Sequence, residues 1–344
     1  MTVLELHAAD ITKETVEYKK NADLYEREAM DFVNTLTEEE LIDLAAGDPG
    51  KAQGGNLGAA GISVPGSAGE THRCAVDKGL ASIVLADGPA GLRLMKYYHV
   101  NEGSIVSMPF EFSLEGGLFY DDSRELPGER YYQYCTAIPV GTLLAQTWNL
   151  DLVRELGEMI GHEMELFGIT LWLAPGMNIH RNPLCGRNFE YYSEDPYLAG
   201  EIAAAFINGV QSQHVGTSIK HFAANNQEYH RMSNSSEADE RTLREIYFPA
   251  FETAVKKAQP YTFMCSYNQI NGIFASENKW LLTDVLRGDW GFKGYVMSDW
   301  GAVNDRVRGL KAGLELEMPS SGGANDALIV AAVKDGSLKE EILD

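Results

Sequence analysis

The 344-residue chain lacks most of the features that mark membrane, metal-binding or nucleic-acid-binding proteins. No apolar run approaches the ~20 residues that span a bilayer, so no membrane partner is expected. Met1 to Lys20 carries charges where a signal peptide would have a continuous apolar core. Cys74, Cys135, Cys185 and Cys265 show neither close pairing nor zinc-type spacing, and free thiols in a reducing, cytoplasmic compartment are the expectation. The histidines are scattered without ligand spacing, so no metal site is expected. Basic residues are outnumbered, 28 against 50 acidic ones. The resulting formal charge of −22 repels phosphate backbones, so nucleic acid is not expected as a partner either.

What is present is a set of strands that end in polar residues. Gly294 to Ala302 reads as a short apolar strand, with Val296 and Met297 as buried positions, that delivers Asp299 and Trp300 to the point where it stops. An aspartate there can attack an electrophilic carbon or cap the next helix, and an indole beside it offers an apolar face to a sugar ring. Ser82–Ala86 runs into Asp87-Gly88-Pro89, Gly168–Gly176 into Asn178 to Pro183, and Thr217–Phe222 carries Lys220 and His221. Tyr261–Asn268 carries Met264 and Tyr267.

Helical stretches alternate with these strands. Asp151 to Phe167 places Leu152, Leu156, Met159, Ile160 and Met164 on one stripe. Asp195-Pro196 opens a helix from Tyr197 to Gln213, an acidic cap followed by proline at the first helical position. Ser337 with Glu340 reads as a capping box. Strand, polar strand end, helix, repeated, predicts an α/β fold, a (β/α)8 TIM barrel or a collapsed variant of it. Two insertions interrupt the rhythm. Asp48 to Glu70 is rich in glycine and reads as a surface loop. Arg93 to Thr136 reads as a long loop and carries Tyr97, Tyr98, Phe110, Phe112, Phe119, Tyr120, Tyr131, Tyr132 and Tyr134. It is either a wall of stacking platforms around a sugar site or a surface packed on a neighbouring domain or subunit.

The densest constellation runs from Arg181 to Asp195. Together with Lys220 to Glu228, Asp239 to Glu245, Ser298 to Gly301, Asp87-Gly88-Pro89 with Gly91-Leu92-Arg93, and Leu316 to Pro319, it resembles glycoside hydrolase family 3. The resemblance covers roughly residues 26 to 344 and keeps the family's motif order. It implies a retaining, exo-acting β-glycosidase, above all a β-glucosidase, that needs no cofactor. Carried over, it makes Asp299 the nucleophile and Arg187, Lys220 and His221 donors to sugar hydroxyls. Asp87 accepts from the sugar's outer hydroxyls, Met264 and Tyr267 line the pocket, and Trp300 packs on the ring. Glu190, Glu228 and Glu317 support these groups, and Glu315 stands where the family more often has aspartate.

Other readings stay open on the residues themselves. Lys220 could serve as a Schiff-base lysine, but the adjacent His221 and downstream Asn225, Asn226 and Glu228 suit hydroxyl recognition better; Arg187 with Glu190 suits a structural ion pair, and Tyr267 suits plain core. Glu228 and Glu194 suit the orienting of nearby cations more than proton transfer.

A retaining glycosidase needs two carboxyl groups, one to attack and one to protonate the leaving oxygen. In most of the family the second belongs to an α/β sandwich domain, and nothing in this chain resembles that domain. The alternative His–Asp solution, in a Lys-His-Phe-Pro-Gly-His-Gly loop, is replaced here by Ala-Ala-Asn-Asn after Phe222. The expectation is therefore a leader over residues 1–25 and a barrel over 26–344 that works with a second α/β domain. A sugar-binding or scaffold barrel with impaired catalysis is the alternative.

Overall fold

The computed structural model describes residues 26–50, 63–106 and 125–343. The expected leader, the middle of the Asp48–Glu70 insertion, and Phe110, Phe112, Phe119 and Tyr120 lie outside the described residues. Six strands form one sheet in chain order: β1 (Gly69–Glu70), β2 (Val84–Ala86), β3 (Leu171–Trp172), β4 (Gly216–Phe222), β5 (Thr262–Cys265) and β6 (Tyr295–Ser298). β1 runs antiparallel to β2, and the remaining neighbours are parallel. Isolated backbone pairs continue the sheet round: Met297 with Leu316, Glu317 with Ala46, and Gly47 with Thr71, next to β1. Two short segments thus join the last strand to the first, and the sheet curls into a barrel.

Strand alternation divides the core in two. Leu85, Leu171, Leu173, Met264, Met297, Leu316 and Met318 point inward and fill the barrel. Their neighbours Val84, Ala86, Trp172, Phe263, Cys265 and Val296 point outward and meet the helices. Both faces are buried, which is why the strands read as continuous apolar runs without polar alternation.

The main covering helices are α1 (Leu150–Phe167), α2 (Pro196–Gln211) and α3 (Pro249–Ala258), followed by α4 (Arg306–Ala312) and α5 (Ala324–Lys334). The Asp195 carboxylate caps α2 by accepting from the Tyr197 amide, with Pro196 in the first turn, as the sequence predicts. Glycines bring α1 and α2 into backbone contact, since a Cβ at Gly209 would lie 2.2 Å from the Arg154 carbonyl oxygen. No described helix is long and apolar enough to cross a membrane.

Three expectations are corrected. The buried stripe of α1 is Val153, Gly157, Ile160, Gly161 and Met164, while Leu152 and Met159 are exposed. Close glycine-mediated packing turns the helix so that its smallest residues, not its largest, face α2. Ser337 and Glu340 make no capping box: the Ser337 amide donates to Asp335, its hydroxyl to Ala332, and the following turn has no side-chain cap. A reciprocal box does exist at Thr37 and Glu40, ahead of the helix Glu38–Leu44. Finally, the Arg93–Thr136 insertion is not wholly loop. Tyr97–Asn101, Ser104–Val106 and Glu129–Tyr132 pair as an antiparallel sheet, along which Tyr98 stacks on Tyr131 and Tyr132 on Tyr134. A cross-strand tyrosine pair such as Tyr98 on Tyr131 stabilises a small sheet even where no hydrophobic alternation announces it.

Arg306 holds the closing segments together. Its side chain is 1% exposed and donates to the carbonyls of Ala45, Leu314 and Glu315 at 2.8–2.9 Å, with Glu317 at 3.7 Å from its Nε. Burial pulls the guanidinium down to about 10, so it remains charged at neutral pH. Arg306→Met should therefore leave the Leu314 and Glu315 carbonyls without a donor and remove the charged partner of Glu317, while Ala45 keeps the Glu317 amide. The expected loss is about 3–5 kcal/mol, read by denaturant unfolding. A loss below about 1 kcal/mol would mean that the barrel closes without this clamp.

Candidate active site

The parallel strands deliver their C-terminal ends to one mouth of the barrel, where fixed backbones can hold charged side chains against one another. After β2 the chain turns sharply at Gly88, whose φ of +115° and whose 2.0 Å gap between an added Cβ and the Gly91 oxygen exclude other residues. The turn brings Arg93 back to Asp87. Arg93 donates to Asp87 Oδ2 at 2.6 Å, and Lys220 Nζ donates to Oδ1 at 2.6 Å. Burial opposes ionisation of Asp87, but Lys220 and Arg93 outweigh it and hold the carboxyl well below the usual range.

Lys220 and His221 follow one another on β4, and both face this mouth. The register of β4 against β5 shifts between Ile219 and Phe222, which breaks the alternation that would separate them. Asn178, in the segment after β3, clasps the His221 backbone: its Oδ1 accepts from the His221 amide at 2.8 Å and its Nδ2 donates to the His221 carbonyl at 2.9 Å. The imidazole Nε2 stands 3.8 Å from Asp299 Oδ2. Burial, then the charges of Arg187, Lys220 and Arg231, push His221 well below the ordinary imidazole value.

Asp299 follows β6 and is 8% exposed. Its Oδ1 accepts from the Trp300 amide at 2.8 Å, and its buried Oδ2 has no hydrogen-bond partner among the described residues. It caps no helix, because Asp305 caps α4. Burial raises its pKa, while Arg187, Lys220, the Trp300 N–H and the nearby Tyr267 hydroxyl pull in the other direction. Arg187 pairs with Glu190, which is itself buried; burial works against the guanidinium's charge, and Tyr191, Glu190 and Asp299 more than offset it. Tyr267 donates to the Trp300 carbonyl at 2.9 Å, and burial followed by the Asp299 charge pushes its phenol up.

The structure therefore brings together Asp87, Arg187, Glu190, Lys220, His221, Tyr267, Asp299 and Trp300. Met264 lies just beneath, buried in the barrel interior against which Trp300 packs. Glu228 reaches the group through Asn225 at 3.3 Å and is tied to Arg231 at 3.0 Å. Glu317 lies elsewhere. Its neighbours Leu316 and Met318 point into the barrel, so its carboxylate faces the helices, where Asn325 donates to it at 2.6 Å. Glu315 pairs with Arg287 and accepts from the Val296 amide, and Glu194 is exposed.

Sequence reasoning missed Asn178, Tyr191 and Arg231, the last stacked 4.7 Å over the Tyr267 ring. Nothing in the spacing of Asn178 shows that it reaches a backbone 43 positions away. A group with mixed ligand atoms, Asp43, His72 and Cys74 within 4.8 Å of one another, lies at the opposite mouth, ahead of the Ala46 segment and after β1. Its members already engage their surroundings: the Cys74 amide donates to His72 Nδ1, and Cys74 Sγ contacts the Glu40 carbonyl.

A family model described as the Glycosyl hydrolase family 3 N terminal domain matches residues 123–344. Among similar proteins, "Thermostable beta-glucosidase B" of Acetivibrio thermocellus is 50% identical over 266 residues, 77% of this chain and 32% of that protein. "Exo-alpha-(1->6)-L-arabinopyranosidase" of Bifidobacterium longum is 50% identical over 267 residues, 78% of this chain and 32% of that protein. Among solved structures, beta-glucosidase 3B from Thermotoga neapolitana in complex with alpha-D-glucose aligns with a TM-score of 0.78 at 44% identity, over 92% of this chain and 41% of that one. The chain thus spans about a third of the length of the curated relatives it matches.

The double bridge at Asp87 yields a stability test. Asp87→Asn leaves the Lys220 ammonium, 3% exposed, without a charged partner and should cost about 3 kcal/mol. Lys220→Met leaves Asp87, a quarter exposed, still paired with Arg93 and should cost about 1 kcal/mol. Because the folded pKa of Asp87 is depressed, its contribution is full above the unfolded value of ~4 and disappears as the pH falls below it. Thermal melts should show the gap between wild type and Asp87→Asn narrowing in acid. A gap that widens in acid would contradict the assignment.

Proposed function

Since the chain belongs to glycosyl hydrolase family 3, we propose that it is the barrel of a retaining, exo-acting β-glycosidase, with β-glucosides as its substrates and Asp299 as its nucleophile. In this reading residues 26–344 make up the barrel domain and residues 1–25 lie outside it. The observation that carries the proposal is the Asp299 carboxylate. It is buried at a strand end, one oxygen is fixed by a backbone N–H, the other makes no hydrogen bond, and the Arg187 and Lys220 charges act on it. A carboxylate so placed is held in one orientation, with burial raising its pKa and the Arg187 and Lys220 charges working against that rise.

The chemistry follows from that geometry. Asp87, Lys220 and Arg187 bind the outer hydroxyls of a terminal sugar, and Trp300 packs on its apolar face. Asp299 Oδ2 forms a bond to the anomeric carbon as the bond to the leaving oxygen breaks, and that oxygen takes up a proton. Water then attacks the same carbon and releases Asp299, giving retention. The proton donor is the open part. Asp87 is bridged to Lys220 and Arg93, Glu190 to Arg187, and Glu228 to Arg231, so each of these carboxylates is already committed to a cation. We assign the acid/base role to a second α/β domain, in keeping with the greater length of the relatives. The exo mode rests on the named arabinopyranosidase, the preference for glucosides on the named β-glucosidases.

Incubation with an activated 2-deoxy-2-fluoro glucoside should add one glycosyl unit, and peptide mapping should find it on Asp299. Labelling of Glu190, Glu194 or Glu228 would overturn the nucleophile, and no labelling at all would favour a sugar-binding barrel with impaired catalysis.

A second experiment addresses the acid. The 344-residue chain should turn over 2,4-dinitrophenyl glucoside slowly, because that leaving group departs without a proton. Cellobiose should be slower by at least the ~10²–10⁴-fold that general acid catalysis supplies. Full cellobiose turnover by the chain alone would place the acid within it.

Arg187→Ala should cut kcat/KM by about 10²-fold and shift the acid limb of its pH profile upward, since removing the cation raises the Asp299 pKa further. A downward shift would count against Asp299 as the group titrating there.

A further inference from the structure

We infer that Tyr191 is a positioning residue that fixes the His221 proton on Nε2, so that the ring presents an N–H to the space beside the unengaged oxygen of Asp299. This deepens the glycosidase reading and rests on it for its catalytic consequence.

The argument is one of donors and acceptors, traced inward from the rim. Glu228 is ion-paired with Arg231 at 3.0 Å, and a carboxylate in such a pair accepts hydrogen bonds. The group facing Glu228 Oε1 at 3.3 Å must therefore be the amide nitrogen of Asn225, which settles which way that side chain is turned. The same nitrogen reaches the Tyr191 hydroxyl oxygen at 3.4 Å and can only donate to it. With a lone pair so occupied, the single phenolic proton is free for the other neighbour of that oxygen, His221 Nδ1, at 3.0 Å. Nδ1 is then an acceptor, and the proton of a neutral imidazole lies on Nε2.

Burial and surrounding charge make this choice matter. Tyr191 and His221 are 0% and 1% exposed, with their rings nearly perpendicular at 70°, so neither can exchange this partner for bulk water. The imidazole is neutral, being buried and also crowded by Arg187, Lys220 and Arg231, and so carries one proton, not two. The opposite tautomer would turn a bare nitrogen lone pair toward Asp299 Oδ2, 3.8 Å away, where two electron-rich atoms repel. The Asn178 clasp on the His221 backbone removes the remaining freedom. In the tautomer we assign, the N–H points into the space beside Asp299 Oδ2. Glu228 thereby sets the protonation pattern of a ring that it does not touch.

The test uses the full chain labelled with 15N-histidine. A two-bond 1H–15N correlation spectrum, with His221 assigned by its loss in His221→Gln, should show Nε2 protonated and Nδ1 bare. Tyr191→Phe keeps the ring but removes the hydroxyl. It should shift the Nδ1 resonance and lower kcat for 2,4-dinitrophenyl glucoside about 10- to 100-fold, with a smaller change in KM. Glu228→Gln, which leaves both rings untouched, should produce a mixture of tautomers because its amide no longer dictates the orientation of Asn225. A protonated Nδ1 in the wild type would overturn the proposal, as would Tyr191→Phe with unchanged His221 nitrogens or unchanged kcat. If the wild-type chain turned over no glycoside, the glycosidase reading would fail, and the spectrum would still decide where the proton lies.

Discussion

Arg306 reaches three carbonyls that belong to segments distant in sequence: Ala45 on one side, Leu314 and Glu315 on the other. Those segments have almost no strand structure of their own, yet they bridge β6 back to β1. A sheet of short parallel strands left open would present unpaired backbone at both edges and could not aim its strand ends at a common point. Closure through a buried guanidinium satisfies those carbonyls and brings the end of β6, with Asp299, into the same mouth as the ends of β2 and β4. The pocket depends on that closure, because Asp87, Lys220 and Asp299 come from three separate strands.

Once the strand ends converge, electrostatics decides what the pocket can do. Taking a carboxylate out of water is costly, and an unpaired one would take up a proton and cease to be a nucleophile. Asp299 is held between these limits: burial pushes its pKa up, and Arg187 and Lys220, each already bound to another carboxylate, push it down. Sharing the cations in this way avoids a direct ion pair with Asp299, which would have satisfied Oδ2. The Trp300 amide fixes the other oxygen without adding charge.

Much of this was legible in the chain. The polar strand ends at Asp87, Lys220 and Asp299 are visible because short apolar runs stop at charged residues, and Asp195-Pro196 marks a helix start through local chemistry alone. What escaped depends on distance or on packing. The α1 stripe was misphased because the choice between Leu152 and Val153 as the buried side is made by glycines on a neighbouring helix. The antiparallel sheet in the 97–132 region escaped because its tyrosines occur on both faces, hiding the two-residue period. Glu317 read as a site residue since it ends a strand, but alternation with Leu316 and Met318 turns it outward. Tyr191 sits amid the densest motif and still went unremarked, for its role lies in which nitrogen its one proton meets.

The named relatives bear on specificity. A β-glucosidase and an α-L-arabinopyranosidase match this chain at the same 50% identity, so overall likeness does not choose between their sugars. The groups nearest Asp299 are charged donors and acceptors, which bind hydroxyls strongly and adapt to more than one arrangement of them. Discrimination between such sugars must come from groups that reject the wrong hydroxyl or leave a buried partner unmet. Asp87 is the group best placed to do so, because both of its oxygens are already committed, to Lys220 and to Arg93. A hydroxyl that binds there must share those donors in the existing geometry, and one of the wrong configuration would have to break an ion pair to fit. On the proposed glycosidase reading, the same bridges that stabilise the mouth of the barrel would also restrict which sugars enter it.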